Sequence, residues 1–358
     1  MLPSSNAGSV LAAHTITDET GRSGEIVIGR GLAGVDRLLL DGADRVAVLT
    51  QPSVSRLGAA IADELGERGL LAAVRVLPDG DQAKSLRTVE SVFEWLNTLG
   101  FTRKDMVIAV GGGALTDLAG FVAATYLRGI EITYLPTTLL AAVDASIGGK
   151  TGVNVGGKNL AGVFRHPARV VIDLDILERL PGDLLMEGAA ETVKAGFIAD
   201  VAIVTEYEAY GIKAALERVV PAAVAVKVGT VAGDFREAGR RAILNYGHTV
   251  GHAVEIAASI SHGDSVAIGM VAAGRVSARL TGFPHEGRQR EIIEKIGLPV
   301  VSPRVDANEV LTLIGRDKKR DGGGIRMVLL EDFGKPVVRH VTEAEIGAGL
   351  SAVGIDHI

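Results

Sequence analysis

Met106-Val-Ile-Ala-Val110-Gly-Gly-Gly113-Ala-Leu-Thr-Asp117 holds the architecture of the first half of the chain in twelve residues. The run to Val110 reads as a buried strand, and Leu118–Ala124 beyond it continues as a helix. Three glycines between them let the backbone approach a phosphate closely, and the helix amino terminus adds unpaired N–H groups and the positive end of its dipole. Asp117 is suited to accept hydrogen bonds from a ribose or a carboxamide. A plain glycine-rich turn between strand and helix has the same composition. On both sides the pattern repeats. Glu25–Ile28, Arg45–Leu49, Ala73–Leu77, Ile132–Leu135 and Val170–Asp173 read as strands, with Ser55–Arg68 and Leu86–Leu99 as helices between them. Repeated β–α order predicts an open, mostly parallel sheet of Rossmann-like type covered by helices, with ligands at the carboxyl ends of its strands.

Gly29-Arg-Gly31-Leu-Ala-Gly34 also fits a dinucleotide-binding pattern. It is set aside, because no acidic residue ends a second strand about 20 residues further on. Asp79-Gly-Asp81-Gln-Ala-Lys84 reads as a turn in which Asp81 and Lys84 suit an adenosine ribose. Pro136–Asn159, with Thr137, Thr138, Asp144, Lys150, Asn154, Lys158 and Asn159 among glycines, reads as a flexible anion-binding loop.

From about Pro181 the pattern becomes helical: Asp183–Ala199, Ile212–Val231, Ala242–Ala258, Gly263–Leu280 and Glu286–Ile296. A late hairpin is expected at Ile325–Leu330 and Lys335–Arg339, turning at Asp332-Phe333-Gly334. The predicted organisation is an α/β domain over residues 1–180 and a mainly helical domain over 181–358. In the second part lies Asn245-Tyr-Gly-His248-Thr-Val-Gly-His252, with His262-Gly263 ten residues on. The chain has 8 histidines, so three so close together suggest ligands or acid–base groups. Residues four apart share a helix face. With Glu191 they supply the N/O donors that zinc accepts, although two helical histidines also fit a surface pair. Lys194 shares the face of Glu191, and Arg241 and Asn245 are again four apart. Lys318 and Lys319 sit in a charge run of the kind usually solvated.

The 358 residues suffice for two domains, and the absence of cysteine excludes disulfides, thiolate ligands and a cysteine nucleophile. A net charge of −6 argues against nucleic acid or an anionic membrane as the main partner. Neither a signal-like start nor an apolar run of roughly 18 residues is present, so a cytoplasmic protein is expected. Cationic side chains around a metal and a nucleotide site in an acidic protein point to a small, multiply anionic substrate.

The sequence from about Asp79 to Leu330 resembles the 3-dehydroquinate synthase family, within the sugar phosphate cyclases. The resemblance is carried by Gly111–Gly129, Pro136–Leu140, Val143–Asn154, Gly157–Asn159, Ala190–Lys194, Leu244–His252, His262-Gly263 and Asp317–Lys319. It implies an amino-terminal NAD-binding α/β domain, a helical metal-binding domain and a homodimer. The implied reaction converts 3-deoxy-D-arabino-heptulosonate 7-phosphate to 3-dehydroquinate and phosphate, in the shikimate pathway of aromatic amino acid biosynthesis, with NAD not consumed overall. Glu191, His248 and His262 would hold zinc or cobalt, and His252 would relay a proton. Lys150, Asn159, Asn245 and one of Lys318 and Lys319 would surround the phosphate, with Arg128 from the partner subunit. Lys227 and Arg241 would hold the substrate carboxylate, while Asp144 and Lys194 orient hydroxyls. Asp79, Asp81, Lys84, Gly111, Gly112, Gly113, Thr116, Asp117, Thr137, Thr138, Lys150 and Lys158 would line NAD.

Three departures stand out: a Lys150–Lys158 loop one residue shorter than the common form, Asp81 where Glu is frequent, and Thr116 where Gly is frequent. The rival readings are the cyclases that make aminodehydroquinate, 2-deoxy-scyllo-inosose or 2-epi-5-epi-valiolone, and a metal-dependent polyol dehydrogenase. Keeping both Lys227 and Arg241 favours a carboxylate-bearing substrate, a property the aminodehydroquinate route shares.

Overall fold

Short β-branched runs do become strands in the computed structural model, which describes residues 8–237, 239–318 and 325–356. The chain divides into two units, one of residues 1–180 and 227–236, the other of residues 181–226 and 237–358.

In the first unit β1 (Ser9–Thr17), β2 (Ser23–Arg30), β3 (Arg45–Thr50), β4 (Leu71–Val76), β5 (Met106–Gly111), β6 (Glu131–Pro136) and β9 (Arg169–Asp173) form one sheet. Its order is β1-β2-β9-β6-β5-β3-β4. Every neighbouring pair is parallel except β1–β2. All six residues of β5 are buried, as expected of a strand covered on both faces. Helices α1 (Val35–Leu38), α2 (Ser55–Glu67), α3 (Leu86–Thr98), α4 (Gly113–Thr125) and α5 (Leu174–Leu177) accompany the sheet. Val46, Val48, Ile61, Leu65, Ile108 and Val110 are part of its core. The chain runs outward from β3 to β4, then returns to lay β5 on the other side of β3. That reversal opens a crevice at the carboxyl ends of β3 and β5, where open α/β sheets bind ligands.

Two features differ from the sequence expectation. Strand β1 was not expected; its exposure alternates from Leu11 to Thr17, but of its nine residues only Ile16 is buried, and its pairing with β2, interrupted by a bulge between Val10 and Ala12, places it at the sheet edge. The stretch expected as a flexible loop is largely ordered. Ala141–Ala145 forms a π-helical turn, and β7 (Lys150–Val153) pairs antiparallel with β8 (Ala161–Phe164). Thr151, Gly152 and Val153 are buried, which explains the apolar material in that loop.

The amide-rich turn at Gly31 is already filled. Leu32 and Ala33 donate their N–H groups to Asp173 Oδ2 at 2.7 and 2.9 Å, and Gly31 donates to Oδ1 at 3.2 Å. A buried carboxylate thus occupies the place an anionic ligand would take.

The second unit contains α6 (Gly182–Ile198), α7 (Val201–Tyr210), most of α8 (Leu216–Ala232), α9 (His248–Ala258), α10 (His262–Leu280), α11 (Glu286–Ile296), α12 (Ala307–Lys318) and α13 (Glu343–Ala352). The hairpin β10 (Ile325–Asp332) and β11 (Lys335–Val341) turns where expected. The continuous helix expected over Ala242–Ala258 is broken. Arg240–Asn245 is a 3₁₀ segment, and Gly247 takes a left-handed φ of 82° before α9 begins at His248. Helices α9 and α10 approach at backbone distance, since a Cβ on Gly269 would lie 2.0 Å from the Gly247 carbonyl oxygen.

Candidate active site

Three helices bring the second unit's chemistry together. Glu191 and Lys194 lie on the buried stretch of α6, His248 and His252 on α9, and His262 opens α10 behind its cap Ser261. Glu191 Oε1 is 3.1 Å from His262 Nε2 and 3.5 Å from His248 Nε2, while Lys194 Nζ pairs with Glu191 Oε2. The ring centroids of His248 and His252 are 4.8 Å apart, so the four-residue spacing does bring them together, edge to face at 79°. His252 is exposed.

Charge is strongly organised here. Burial alone would raise Glu191, but Lys194, His262 and His248 hold it well below the ordinary carboxylate range. Burial and the neighbouring Lys194 push His248 far down, so it is neutral. Burial opposes a charge on His262 as well, yet the carboxylates of Glu191 and Glu255 outweigh it and raise the group to about 10.

These residues fit a divalent cation. His248 Nδ1 lies 3.2 Å from the Tyr246 carbonyl oxygen, which only accepts, so this contact puts the proton on Nδ1 and the lone pair on Nε2. That lone pair then faces a carboxylate oxygen, an arrangement a cation between them reconciles. The donor atoms of Glu191, His248 and His262 all lie within 4.8 Å of one another. Bonds of about 2.0–2.1 Å at tetrahedral angles place ligand atoms roughly 3.3 Å apart; the two separations from Glu191 Oε1 bracket that value.

Close helix packing sets this geometry. A Cβ on Gly263 would fall 2.6 Å from the Glu187 Cα, so α10 can reach α6 only with glycine after His262. Gly263→Ala is expected to force His262 away from Glu191 and weaken cobalt binding about tenfold or more, with helical content kept. Unchanged affinity in a cobalt titration would contradict the packing argument.

Arg241 is almost wholly buried at 1% exposure. It and Asn245 lie on the 3₁₀ segment, whose three residues per turn do not stack positions four apart, so the expected shared face is lost. Asn245 Nδ2 instead donates to Glu237 Oε1 at 2.9 Å. Glu237 has a left-handed φ of 60°, a strained position for a non-glycine residue. The side chain of Lys318 and all of Lys319 lie outside the described residues.

In the first unit the glycine turn ends β5, but one of its N–H groups is in use: Gly112 donates to Gln51 Oε1 at 2.9 Å. Thr116 is buried with its hydroxyl on the Gly113 carbonyl at 2.9 Å. Thr137 N–H donates to the Gly111 carbonyl at 2.9 Å, and Thr138 Oγ1 accepts from Ala141 N–H at 3.2 Å. Buried Lys84 reaches Asp117 Oδ2 at 2.6 Å and also Asn159 Oδ1. Lys158 stands 3.5 Å from Asp81, and Ser53 Oγ 3.4 Å from Asp79 Oδ1. Asn159, expected beside a phosphate, is thus linked through Lys84 to Asp117. Asp144 pairs with Lys227. Lys150 is exposed at the start of β7; Arg128 is exposed too, at φ 66° after Leu127 at φ 49°.

Burial pushes Asp117 up to about 6 against the pull of Lys84. Its folded value exceeds the ordinary 3.8, so the native chain keeps a proton that the unfolded chain releases between pH 4 and 6. The stabilisation is therefore present below pH 4 and lost as pH rises to 6. Relative to Asp117→Asn, the wild type is expected to lose on the order of 3 kcal/mol over that window in urea unfolding. A difference that grows with pH would refute it.

Sequence reasoning missed Gln51, Ser53, Glu237 and Glu255. Glu255 was findable, because 248, 252 and 255 follow helical spacing. Gln51 and Ser53 sit just past a strand end without a motif of their own.

The family description "3-dehydroquinate synthase N-terminal" matches residues 74–187, and "3-dehydroquinate synthase C-terminal" matches residues 188–320. A 3-dehydroquinate synthase of Arthrobacter sp. (strain FB24) is 41% identical over 353 residues, covering 93% of this chain and 96% of its own. A 2-deoxy-scyllo-inosose synthase solved with carbaglucose-6-phosphate, NAD+ and Co2+ superposes at TM-score 0.83 and 27% identity, covering 94% of this chain and 98% of its own. A 2-epi-5-epi-valiolone synthase from Streptomyces hygroscopicus subsp. jinggangensis 5008, with NAD+ and Zn2+ bound, gives TM-score 0.85 at 27% identity, with coverage of 95% and 99%. With family matches running from residue 74 to residue 320 and a relative this similar over nearly its whole length, the chain belongs to the 3-dehydroquinate synthase family.

Proposed function

We propose that this enzyme converts 3-deoxy-D-arabino-heptulosonate 7-phosphate to 3-dehydroquinate and phosphate, using NAD and a divalent metal, zinc or cobalt. The observation that carries the reading is the Glu191–His248–His262 donor set, found in a chain 41% identical to a curated 3-dehydroquinate synthase. When bound, NAD supplies reversible hydride exchange and the ion supplies Lewis-acid polarisation of substrate oxygens.

The chain's own residues do the rest. Glu191, His248 and His262 hold the ion. Asp79, Asp81, Lys84, Gly111–Gly113, Thr116, Asp117, Thr137, Thr138, Lys150 and Lys158 form the NAD site in residues 1–180, while residues 181–358 supply the metal site. Lys194 tempers the charge of Glu191 and, with Asp144, orients substrate hydroxyls. His252, exposed beside His248, accepts a proton from substrate. Lys227 and Arg241 hold the carboxylate, for which a guanidinium fork is well shaped. Lys150, Asn159, Asn245 and one of Lys318 and Lys319 surround the phosphate, with Arg128 of a second copy in a homodimer. No helix among the described residues is long and apolar enough to cross a membrane, and we place the enzyme in the cytoplasm.

Incubation with NAD+, cobalt and each candidate sugar phosphate, followed by mass spectrometry of the carbocycle, tests the reading. Dehydroquinate and phosphate should form without net NADH at 340 nm. Accumulating NADH would instead indicate a dehydrogenase, and a different carbocycle another cyclase.

A further inference from the structure

Glu255 follows His248 and His252 on α9 at spacings of four and three, so it stands on the face that carries both rings. Its Oε2 lies 3.2 Å from His262 Nδ1, while His262 Nε2 lies 3.1 Å from Glu191 Oε1. One imidazole is held end to end between two carboxylates. The Glu255 side chain is 13% exposed and that of His262 28%, so the contact is partly shielded from water.

We propose that Glu255 is a positioning residue for the metal centre, accepting the Nδ1–H of His262 and so fixing the Nε2 lone pair toward the ion. This rests on the ligand set read above. A carboxylate can only accept, so the contact admits one neutral tautomer of His262. His248 is oriented differently, by the neutral carbonyl of Tyr246. Lys194 offsets part of the charge of Glu191, and Glu255 returns negative charge to the far side of the site. The donor atoms of His252, Glu255 and His262 also lie within 4.8 Å of one another, which would make Glu255 a ligand instead. That set uses exposed His252 and leaves out buried, ionised Glu191, so the positioning role is preferred.

The test titrates Co2+ alone into metal-free wild type, Glu255→Gln, Glu255→Ala, His252→Ala and His262→Ala. It reads the visible d–d bands and Kd by chelator competition, with circular dichroism for folding. Glu255→Gln should weaken binding about tenfold and Glu255→Ala up to about 100-fold. The bands of Glu255→Gln should keep their pattern, because the ligands are unchanged, and His252→Ala should bind as wild type does. If Glu255→Ala fails to fold, the isosteric Gln variant decides. Wild-type Kd in Glu255→Gln, even with lowered Tm, would overturn the proposal, as would altered bands combined with loss of binding in His252→Ala. Wild-type binding by His262→Ala would sink the ligand set itself; loss there with no effect in Glu255→Gln would sink the positioning role alone.

Discussion

Replacing His262 with alanine is expected to abolish stable metal binding and turnover together, with Kd for cobalt or zinc rising by more than the roughly 100-fold typical of a residue behind the ligands. The variant keeps Glu191 and His248, two donors where three were available. It also removes the nitrogen 3.1 Å from Glu191 Oε1, leaving Lys194 as the main partner of a buried carboxylate. His262 is the first residue of α10 and its side chain is 28% exposed, so truncation leaves the helix and core in place. Metal content after gel filtration and steady-state phosphate release check this. Full activity in a metal-stripped His262→Ala sample would overturn the assignment.

Arg241→Ala is expected to raise KM for the carboxylated substrate roughly 10–100-fold, the 1.5–3 kcal/mol typical of a hydrogen bond to a charged group. Affinity for NAD should stay within about twofold. The guanidinium is shielded from water at 1% exposure, and its planar fork suits a carboxylate. Because it is so buried, truncation also threatens stability. Arg241→Lys separates the effects: it keeps the charge and loses the fork, so KM should rise less than in the alanine variant. Equal losses for substrate and NAD in Arg241→Ala would contradict the carboxylate role.

Strands β3, β5, β6 and β9 were legible to within a residue because burial on both faces demands unbroken β-branched runs. Strand β1 was not, since an edge strand held by backbone bonds to β2 needs no apolar code. Helix α9 was read too long. A 3₁₀ turn and a helix share apolar spacing over a few residues, and only Gly247 marked the break. Helix α13 was missed although Thr342 and Glu345 form a capping box, a local signal that its weak amphipathicity hid. Among site residues, spacing singled out His248 and His252 because they lie on one regular helix. Gln51, Glu237 and the pairing of Lys84 with Asp117 and Asn159 depend on chain crossings that no window of sequence contains.

The donors at Glu191, His248 and His262 come from three helices, α6 lying well upstream of the consecutive pair α9 and α10. An ion seated among them would act as a staple, joining α6 to the α9–α10 pair. By mass action such a staple adds RT ln(1 + [M]/Kd) to conformational stability. Chelation should therefore shorten the protein's lifetime as well as stop its chemistry, linking enzyme abundance to trace-metal supply.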